Sequence, residues 1–295
     1  ASGALLCTDC AGRMGERVVL HVDLNNFYAS VTCLTHPDWR ELPLAVCGDP
    51  SLRHGIVLAK NMAAKRAGVK TGQAIWQAKE TCPRLSVTTP DFEQYLRFSR
   101  AVRDICARYT PRIQPFGIDE SWLDLSGAGM TLARGEAAAN HLRHAVREET
   151  GLTVSVGVSD NRIFAKLGSD LRKPDAVTLL CRENRARALD PLPIDDLLFV
   201  GPATARKLRR IAIYTIGQLA QTDVSVLRAF LGKNGEMLSH FARGEDESSV
   251  LPMCETPPPK SVGNSITAAR DLVCMEDARI TLYGLCECVA ARLRA

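Results

Sequence analysis

No apolar run in the sequence approaches the roughly 18 residues that a membrane-spanning helix requires. The first residues also lack the apolar core of a secretory signal peptide. Excess charge of one sign is small, because 37 Lys and Arg residues oppose 33 Asp and Glu residues and leave a formal charge of +4. We therefore expect a cytoplasmic protein with no membrane partner. The charge is compatible with a nucleic acid partner but too weak to demonstrate one.

The cysteines suit neither a disulfide framework nor a metal site. Their number, 11, is odd and they are spread over 295 residues, which indicates a reducing compartment. Cys7 and Cys10 form half of a zinc-site pattern, but no second half follows at a suitable spacing. Cys286 and Cys288 lie in a helical pattern, where side chains at that spacing diverge. Both pairs are therefore interpreted as ordinary thiols.

Two adjacent carboxylates stand between apolar segments of strand character. Residues 116–126 read FGIDESWLDLS, which places Asp119 and Glu120 at the turn between two strands, where Gly117 permits a sharp bend. On a flat strand these side chains would point to opposite faces, whereas at a turn they can converge. Like charges within a few Å repel unless a cation or a proton neutralises them, so the pattern predicts a divalent metal. Asp124, further along, is expected to be structural.

A third carboxylate, Asp23, ends a short apolar segment. Residues 18–23 (VVLHVD) are typical of a buried strand that brings Asp23 to the edge of a sheet. If this strand neighbours residues 121–125, three carboxylates meet and can bind two Mg²⁺ ions roughly 3.5–4 Å apart, the arrangement used for in-line phosphoryl transfer. A lone acid at a strand end is otherwise a solvated turn residue, so the prediction depends on the three together.

The segments around these acids resemble a known family. Residues 22–31 (VDLNNFYASV) and 117–124 (GIDESWLD) are similar to the two catalytic motifs of Y-family translesion DNA polymerases, nearest the DinB branch. Further matching segments, in the family's order and at its spacing, are 55–61, 68–72, 156–159, 164–166 and 260–264. The resemblance covers roughly residues 18–295.

The resemblance implies an α+β right-hand polymerase, with a palm of mixed or antiparallel sheet backed by helices, small fingers, a helical thumb and a partial little finger. The implied segments are an N-terminal extension 1–17, palm 18–26 and 91–173, fingers 27–90, thumb 174–246, linker 247–260 and partial little finger 261–295. One strand (Ser261–Ala269) and one helix (Glu276–Arg294) are expected after the linker, too little for a core of their own. We expect a truncated chain without a clamp-binding tail.

The implied activity is template-directed, error-prone addition of dNTPs to a primer 3′ end, without a proofreading nuclease. Asp23, Asp119 and Glu120 would hold two Mg²⁺ ions, helped by the carbonyl of Leu24. Primer–template DNA and dNTPs are the implied partners of a monomer, with a sliding clamp reached only through the missing C-terminal region. The resemblance also implies a role in the SOS response to DNA damage, with a mutator effect.

Several residues are expected at the nucleotide. The resemblance places Phe27 there and makes Tyr28 a steric gate against a 2′-hydroxyl, the alternative being a plain core aromatic. Asn61 is a suitable N-cap of a helix whose first-turn amides and Lys65 can bind an anion. The resemblance makes that anion the triphosphate and adds Lys166, although solvated lysines are the alternative for both.

The chain departs from the family pattern at three of these positions. The family often has threonine, tyrosine and arginine where this chain has Ala59, Met62 and Lys65. Lysine supplies a point charge but not the planar fork of arginine. We expect altered nucleotide affinity and unchanged catalysis.

Hydrophobic periodicity predicts the elements around the site. A helix begins after Asp91, which pairs with Gln94 as in a capping box. The apolar stripe of that helix, expected in the core, consists of Phe92, Tyr95, Leu96, Val102, Ile105, Cys106 and Tyr109. Another helix runs over Thr131–Glu149, and residues 152–159 alternate, which indicates a strand with one apolar face.

Residues 197–210 resemble a helix-hairpin-helix, in which a glycine turn and the next helix offer amides and basic side chains to a DNA phosphate. The expected DNA contacts are Gly201, Ala203, Arg206, Lys207 and Arg210. Ala203 replaces a glycine that is frequent in such hairpins. A solvated basic helix face is the alternative.

Two other functions stay open at this point. A non-catalytic DNA-binding relative in DNA repair, or an inactive fragment, would share much of the pattern, although such relatives lack the metal carboxylates. A palm-type nucleotide cyclase would have neither a helix-hairpin-helix nor primer dependence.

Overall fold

The protein is described by a computed structural model over residues 16–49, 55–255 and 258–294. Residues 1–15 of the predicted N-terminal extension, with Cys7 and Cys10, lie outside the described residues. None of the helices in these ranges combines the length and the apolar character that a membrane span requires.

Chain contacts divide the protein into two units. One joins the described residues up to Asn25 with Leu96–Glu255, and the other joins Asn26–Tyr95 with the described residues from Pro258 onward. The predicted palm and thumb segments fall mainly in the first unit, and the predicted fingers in the second.

Two sheets account for the strands in the described ranges. The strands are β1 Val19–Leu24, β2 Leu44–Cys47, β3 Val57–Lys60, β4 Ser86–Thr88, β5 Ile113–Pro115, β6 Glu120–Asp124, β7 Val154–Ser159 and β8 Val177–Leu179. The first unit contains a sheet of order β5-β6-β1-β7-β8, and the second a sheet of order β3-β2-β4.

Helices make up most of the remaining regular structure. They are α1 Phe27–Thr35, α2 Met62–Arg66, α3 Ile75–Thr81, α4 Phe92–Ala107, α5 Leu132–Thr150, α6 Arg162–Leu171, α7 Arg182–Ala188, α8 Pro202–Arg210, α9 Ile216–Gln221, α10 Val224–Leu231, α11 Lys233–Arg243 and α12 Met275–Arg294. The predicted helix over Thr131–Glu149 is confirmed as α5, which is capped at both ends: Thr131 accepts from Arg134 N at 3.3 Å and Gly151 closes the helix with φ of 71°.

The five-stranded sheet is built around β1. This strand is antiparallel to both β6 and β7, and every one of its residues is buried. Within this sheet, only the β7–β8 pair is parallel. The sheet is therefore mixed. Helices α5 and α6 pack against β7, so the sheet is also backed by helices, as predicted for a palm.

The prediction of one apolar face on β7 is confirmed, and the second face of the strand is buried as well. Val154, Val156 and Val158 are fully buried, but so are Ser155 and Ser159. The small side chains form the second face because α6 lies directly against it, and a bulkier residue would not fit there.

The predicted apolar stripe of α4 is buried only in part. Tyr95, Val102, Ile105 and Cys106 are buried, whereas Phe92 and Leu96 are 52% and 43% exposed. At about 100° per residue, Phe92 and Leu96 lie about 60° and 100° from Tyr95 on the same margin of the stripe. The stripe is therefore wider than the buried face of the helix.

The prediction of a strand over Ser261–Ala269 is wrong, since these residues form neither a strand nor a helix. An isolated strand leaves its backbone N–H and C=O groups without partners, and no neighbouring strand is described for this segment. The predicted helix is confirmed as α12, and it has no buried residue. The expectation that this region forms no core of its own agrees with that exposure.

Candidate active site

Asp23 and Glu120 face each other on the central strands of the first sheet. The antiparallel register of β1 and β6 pairs these two residues, and opposite residues in such a pair have Cβ atoms about 5 Å apart. Asp119 directly precedes β6, and its carbonyl oxygen accepts a 3.0 Å hydrogen bond from Leu24 N. The structure thus brings the three acids together at one margin of the sheet.

Two lysines that follow β7 in the chain contact these carboxylates. Lys166 Nζ lies 3.0 Å from Glu120 Oε1 and 3.5 Å from Asp23 Oδ2, and Lys173 Nζ lies 2.8 Å from the same Asp23 oxygen. Both lysines also pair with Asp170, at 3.2 and 2.8 Å. With the acid that precedes β6 included, four carboxylates share two ammonium groups. The cluster therefore carries an excess of negative charge.

The excess charge affects the three acids unequally. Burial and the charges of Glu120 and Asp23 raise the pKa of Asp119 to about 6. Burial also opposes the ionisation of Glu120, but the contact with His21 and the charge of Lys166 outweigh it and lower the pKa of Glu120 to about 2. Burial also raises the pKa of Asp23, against the charge of Lys173, so Glu120 is the acid whose charge is best compensated and Asp119 is under-compensated.

The donor set fits a divalent cation, although the lysines stand beside the oxygens. Among the described residues, no group of three His, Cys, Asp or Glu side chains is arranged to hold a metal ion as it stands. Carboxylate oxygens are nevertheless the ligands that Mg²⁺ prefers. A bound cation would also relieve the like-charge repulsion that raises the pKa of Asp119.

The helix that carries Lys166 is fixed by its cap and by a close approach to β7. Asn161 Oδ1 accepts a 2.8 Å hydrogen bond from Phe164 N, so Asn161 is the N-cap of α6. Gly157 on β7 lies so close to α6 that a Cβ there would be 1.8 Å from Ala165 O. The distance of Lys166 from the carboxylates depends on this packing.

Tyr28 belongs to an aromatic cluster in the second unit. Its ring stacks on Tyr95, with centroids 4.3 Å apart and planes 6° from parallel, and Phe92 meets it edge-on at 5.9 Å. Phe27 is buried, and its ring lies 5.7 Å from that of Tyr28. These contacts hold Tyr28 in one orientation and make the Phe27 side chain part of the core.

Asn61 is the N-cap of α2, but its side-chain amide is occupied by the backbone. Its Oδ1 accepts from Ala64 N and Leu44 N at 3.0 and 3.1 Å, and its Nδ2 donates to Leu42 O at 2.7 Å. One of the predicted anion-binding amides, that of Ala64, is therefore already bound. Asn61 has a structural role, and its contact with a nucleotide stays a prediction. Lys65 is exposed on the same helix.

The predicted hairpin lies immediately before α8, with Gly201 as the N-cap. The predicted DNA contacts, all of them exposed, are Gly201, Ala203, Arg206, Lys207 and Arg210. The predicted motif lacks its first α-helix, because residues 197–200 form no helix and only one 3₁₀ turn, Ile194–Asp196, precedes them. Phe199, within the hairpin, has φ of 69° and is 59% exposed.

Similarity to known proteins decides the family. A family model described as the impB/mucB/samB family matches residues 22–170. DNA polymerase IV of Acetivibrio thermocellus is 50% identical over 281 residues, which cover 95% of this chain and 70% of that protein. The chain belongs to the Y family of translesion DNA polymerases.

Solved structures of Y-family polymerases share its fold. A Y-family DNA polymerase chimera, Dbh-Dpo4-Dbh, matches with a TM-score of 0.83 and 24% identity over 93% of this chain and 80% of that one. An insertion ternary complex of Dbh DNA polymerase matches with a TM-score of 0.73 and 25% identity, over 79% of this chain and 69% of that one. The predicted α+β right-hand architecture is confirmed.

Membership of the Y family establishes the enzyme class. The protein is a DNA-directed DNA polymerase of the translesion type, its substrate includes DNA, and polymerases of this family depend on metal. The non-catalytic relative is not favoured by these similarities.

Three residues near the carboxylates of this Y-family polymerase escaped sequence reasoning. Asp170 and Lys173 follow Lys166 at spacings of four and seven residues, but α6 ends at Leu171, so the spacing alone does not bring Lys173 to the carboxylates. His21 gave no signal, because a histidine inside an apolar strand is usually a core residue. Only the pairing of β1 with β6 reveals its neighbour Glu120.

Proposed function

We propose that Asp23, Asp119 and Glu120 are the catalytic carboxylates of this polymerase and hold two Mg²⁺ ions, with the carbonyl of Leu24 as a further ligand. The observation that carries the proposal is the excess of negative charge where β1 and β6 meet. When bound, the ions would supply charge stabilisation for in-line transfer of a nucleotidyl group to the primer 3′-hydroxyl.

The chain's own residues position these groups. The backbone ladder between β1 and β6 fixes Asp23 opposite Glu120, so the spacing of these two acids does not depend on a loop. Lys166 is proposed as a triphosphate contact as well. Its ammonium carries three N–H donors, and a triphosphate would compete with Glu120 and Asp170 for them.

A pair of lysines, one at the end of β3 and one on α2, supports a second contact with the triphosphate. Lys60 and Lys65 occupy the N′ and N4 positions of this helix, which lie next to each other in space. Burial and the charge of Lys65 lower the pKa of Lys60, whose Nζ donates to Thr71 Oγ1 at 2.9 Å. Two adjacent like charges favour an anion beside them. Lys60 would thus supply charge that an arginine at position 65 supplies elsewhere in the family.

Tyr28 is proposed as the steric gate, with Phe27 and Asn61 supporting the nucleotide site through packing. We expect Tyr28→Ala to raise the frequency of ribonucleotide incorporation by at least about tenfold, because removal of a rigid ring admits one extra hydroxyl group. Incorporation of each NTP against its dNTP, measured as the ratio of kcat/KM values, tests this expectation.

Tyr28→Phe is the matched control, since it keeps the ring that stacks on Tyr95 and removes only the hydroxyl. It should retain the sugar discrimination of the wild type. If Tyr28→Ala also discriminates as the wild type does, Tyr28 is a core aromatic and not a gate.

Binding of the DNA backbone by the thumb is proposed at the hairpin and α8. Ala205 and Leu208 are buried on one face of this helix, which leaves Arg206, Lys207 and Arg210 exposed on the other. Basic side chains in this arrangement, beside the Gly201 and Ala203 amides, suit contact with DNA phosphates.

The remaining expectations are proposals that rest on family membership. They comprise the palm (18–26 and 91–173), fingers (27–90), thumb (174–246), linker (247–260) and partial little finger (261–295). We also propose a monomer in the cytoplasm that acts in the SOS response.

A primer-extension assay tests the proposed metal dependence. The protein should extend a primer on a template with dNTPs and Mg²⁺, and EDTA should reduce the rate by at least about 10³-fold because the carboxylates alone provide no charge stabilisation. Added Mg²⁺ should restore it. Extension that persists in EDTA, or no extension by protein shown to bind primer–template, would contradict the proposal.

A further inference from the structure

His21 lies on β1 and is fully buried, and its side chain contacts both the neighbouring strand β6 and the helix α6. Its Nδ1 lies 2.8 Å from Ser169 Oγ on α6, and its Nε2 lies 3.3 Å from Glu120 Oε2 on β6. The ring meets Trp122 edge-on, with centroids 5.2 Å apart. The imidazole therefore connects a proposed metal ligand to the helix that carries Lys166.

The hydrogen-bonding groups around the ring indicate which nitrogen carries a proton. Within the part of the chain that the structure describes, neither His21 Nε2 nor Glu120 Oε2 forms a hydrogen bond that meets the usual geometry, and the two atoms lie 3.3 Å apart. Ser169 Oγ also lies 2.8 Å from Lys166 O, and its single hydroxyl proton cannot serve both that carbonyl and Nδ1.

The two neutral tautomers of His21 present different groups to the Glu120 carboxylate. If Nδ1 alone carried the ring proton, the lone pair of His21 Nε2 would point towards an anionic oxygen in a buried site, which is costly. A proton on Nε2 removes this conflict. In this tautomer, Ser169 Oγ donates its hydroxyl proton to Nδ1 and no longer donates to Lys166 O.

We propose that His21 is a positioning residue that donates from Nε2 to Glu120 Oε2 and fixes this carboxylate in the orientation required for metal binding. Ser169 selects the tautomer by donating to Nδ1. Lys166 Nζ contacts the other oxygen, Oε1, at 3.0 Å, so the carboxylate is held from two directions. The inference rests on the proposed role of Glu120 as a metal ligand.

Two substitutions separate the hydrogen bond from the packing of the ring. His21→Phe keeps a ring against Trp122 and removes the donor, whereas His21→Gln places an amide N–H near the position of Nε2. Mn²⁺, as a spectroscopic substitute for Mg²⁺, can be titrated by electron paramagnetic resonance into the enzyme bound to dideoxy-terminated primer–template and dNTP. We expect His21→Phe to weaken Mn²⁺ binding by about 10- to 100-fold, the usual effect of losing such an outer contact, and His21→Gln to restore most of it.

A purely structural role gives a different pattern. It would lower the unfolding temperature of His21→Phe and leave the affinity for Mn²⁺ unchanged, and that result would overturn the proposal. So would a ¹⁵N NMR spectrum of the wild type in which His21 Nε2 is unprotonated, a measurement that requires no variant to fold.

The titration also distinguishes this inference from the proposed function. Asp119→Asn, which removes a proposed ligand, should lose Mn²⁺ affinity more severely than His21→Phe. If Asp119→Asn binds Mn²⁺ as the wild type does, the proposed metal site is wrong. If Asp119→Asn loses the ion and His21→Phe does not, only the role of His21 is refuted.

Discussion

Replacement of Asp119 by asparagine is expected to abolish primer extension and at the same time to stabilise the metal-free protein. Burial and the charges of Glu120 and Asp23 raise the pKa of Asp119 to about 6, so its ionised form destabilises the folded state at neutral pH. Asparagine has nearly the same shape and no charge. We expect a loss of extension rate of at least about 10³-fold, the scale of a single preorganised electrostatic group.

The gain in stability should depend on pH. An acid whose pKa is higher in the folded than in the unfolded protein destabilises the fold fully above the folded pKa, and has no effect below the unfolded pKa. The unfolding midpoint of Asp119→Asn without metal should therefore exceed that of the wild type at pH 7. The difference should disappear as the pH falls through 6 towards 3.8.

Asp124→Asn is a control on the same strand. Asp124 accepts from Ser126 N at 2.8 Å and pairs with Arg112 Nε at 3.2 Å, which agrees with its predicted structural role. This variant should lose stability and keep its extension rate. Activity retained by Asp119→Asn, or a lower unfolding midpoint for it at pH 7, would show that Asp119 is not an under-compensated catalytic acid.

Alanine at position 157 is expected to cause the largest loss of stability. Its Cβ would lie 1.8 Å from Ala165 O and 2.6 Å from Ser169 N, and both are backbone atoms of α6 that cannot rotate away. The helix must move from the sheet, at a cost of about 3 kcal/mol or more. Because α6 carries Lys166, extension should fall as well. Urea unfolding and primer extension measure the two effects.

Gly127→Ala provides the comparison for this substitution. A Cβ at Gly127 meets nothing within 4 Å, and its φ lies outside the left-handed region, so the change in stability should be within about 0.5 kcal/mol. If Gly157→Ala is as stable as Gly127→Ala, then α6 does not pack on β7 at the distance described.

Local features of the sequence were sufficient for much of the fold. The caps at Asn61, Thr131 and Asn161 could be predicted because a side-chain oxygen and an amide three residues later form a contact within one turn. The strand that ends near Asp23 could be predicted because its apolar run is continuous.

Predictions failed where the outcome depended on a distant partner. Ser261–Ala269 has strand character but no described strand to pair with. Phe92 and Leu96 continue an apolar stripe beyond the buried face of the helix and are about half exposed. No prediction covered the burial of the serine face of β7, because that burial depends on the packing of α6. Periodicity specifies which residues share a face, and it does not specify what lies against that face.

The sequence by itself pointed to the family, to the three acids as candidate ligands and to several elements, because motif residues and caps act over a few positions of the chain. Only the tertiary structure decided that Lys173 and Asp170 share the carboxylate cluster and that His21 contacts Glu120. These contacts arise from the register of β1 against β6 and from the packing of α6 on β7. Such long-range packing has no signature in the local sequence of either partner.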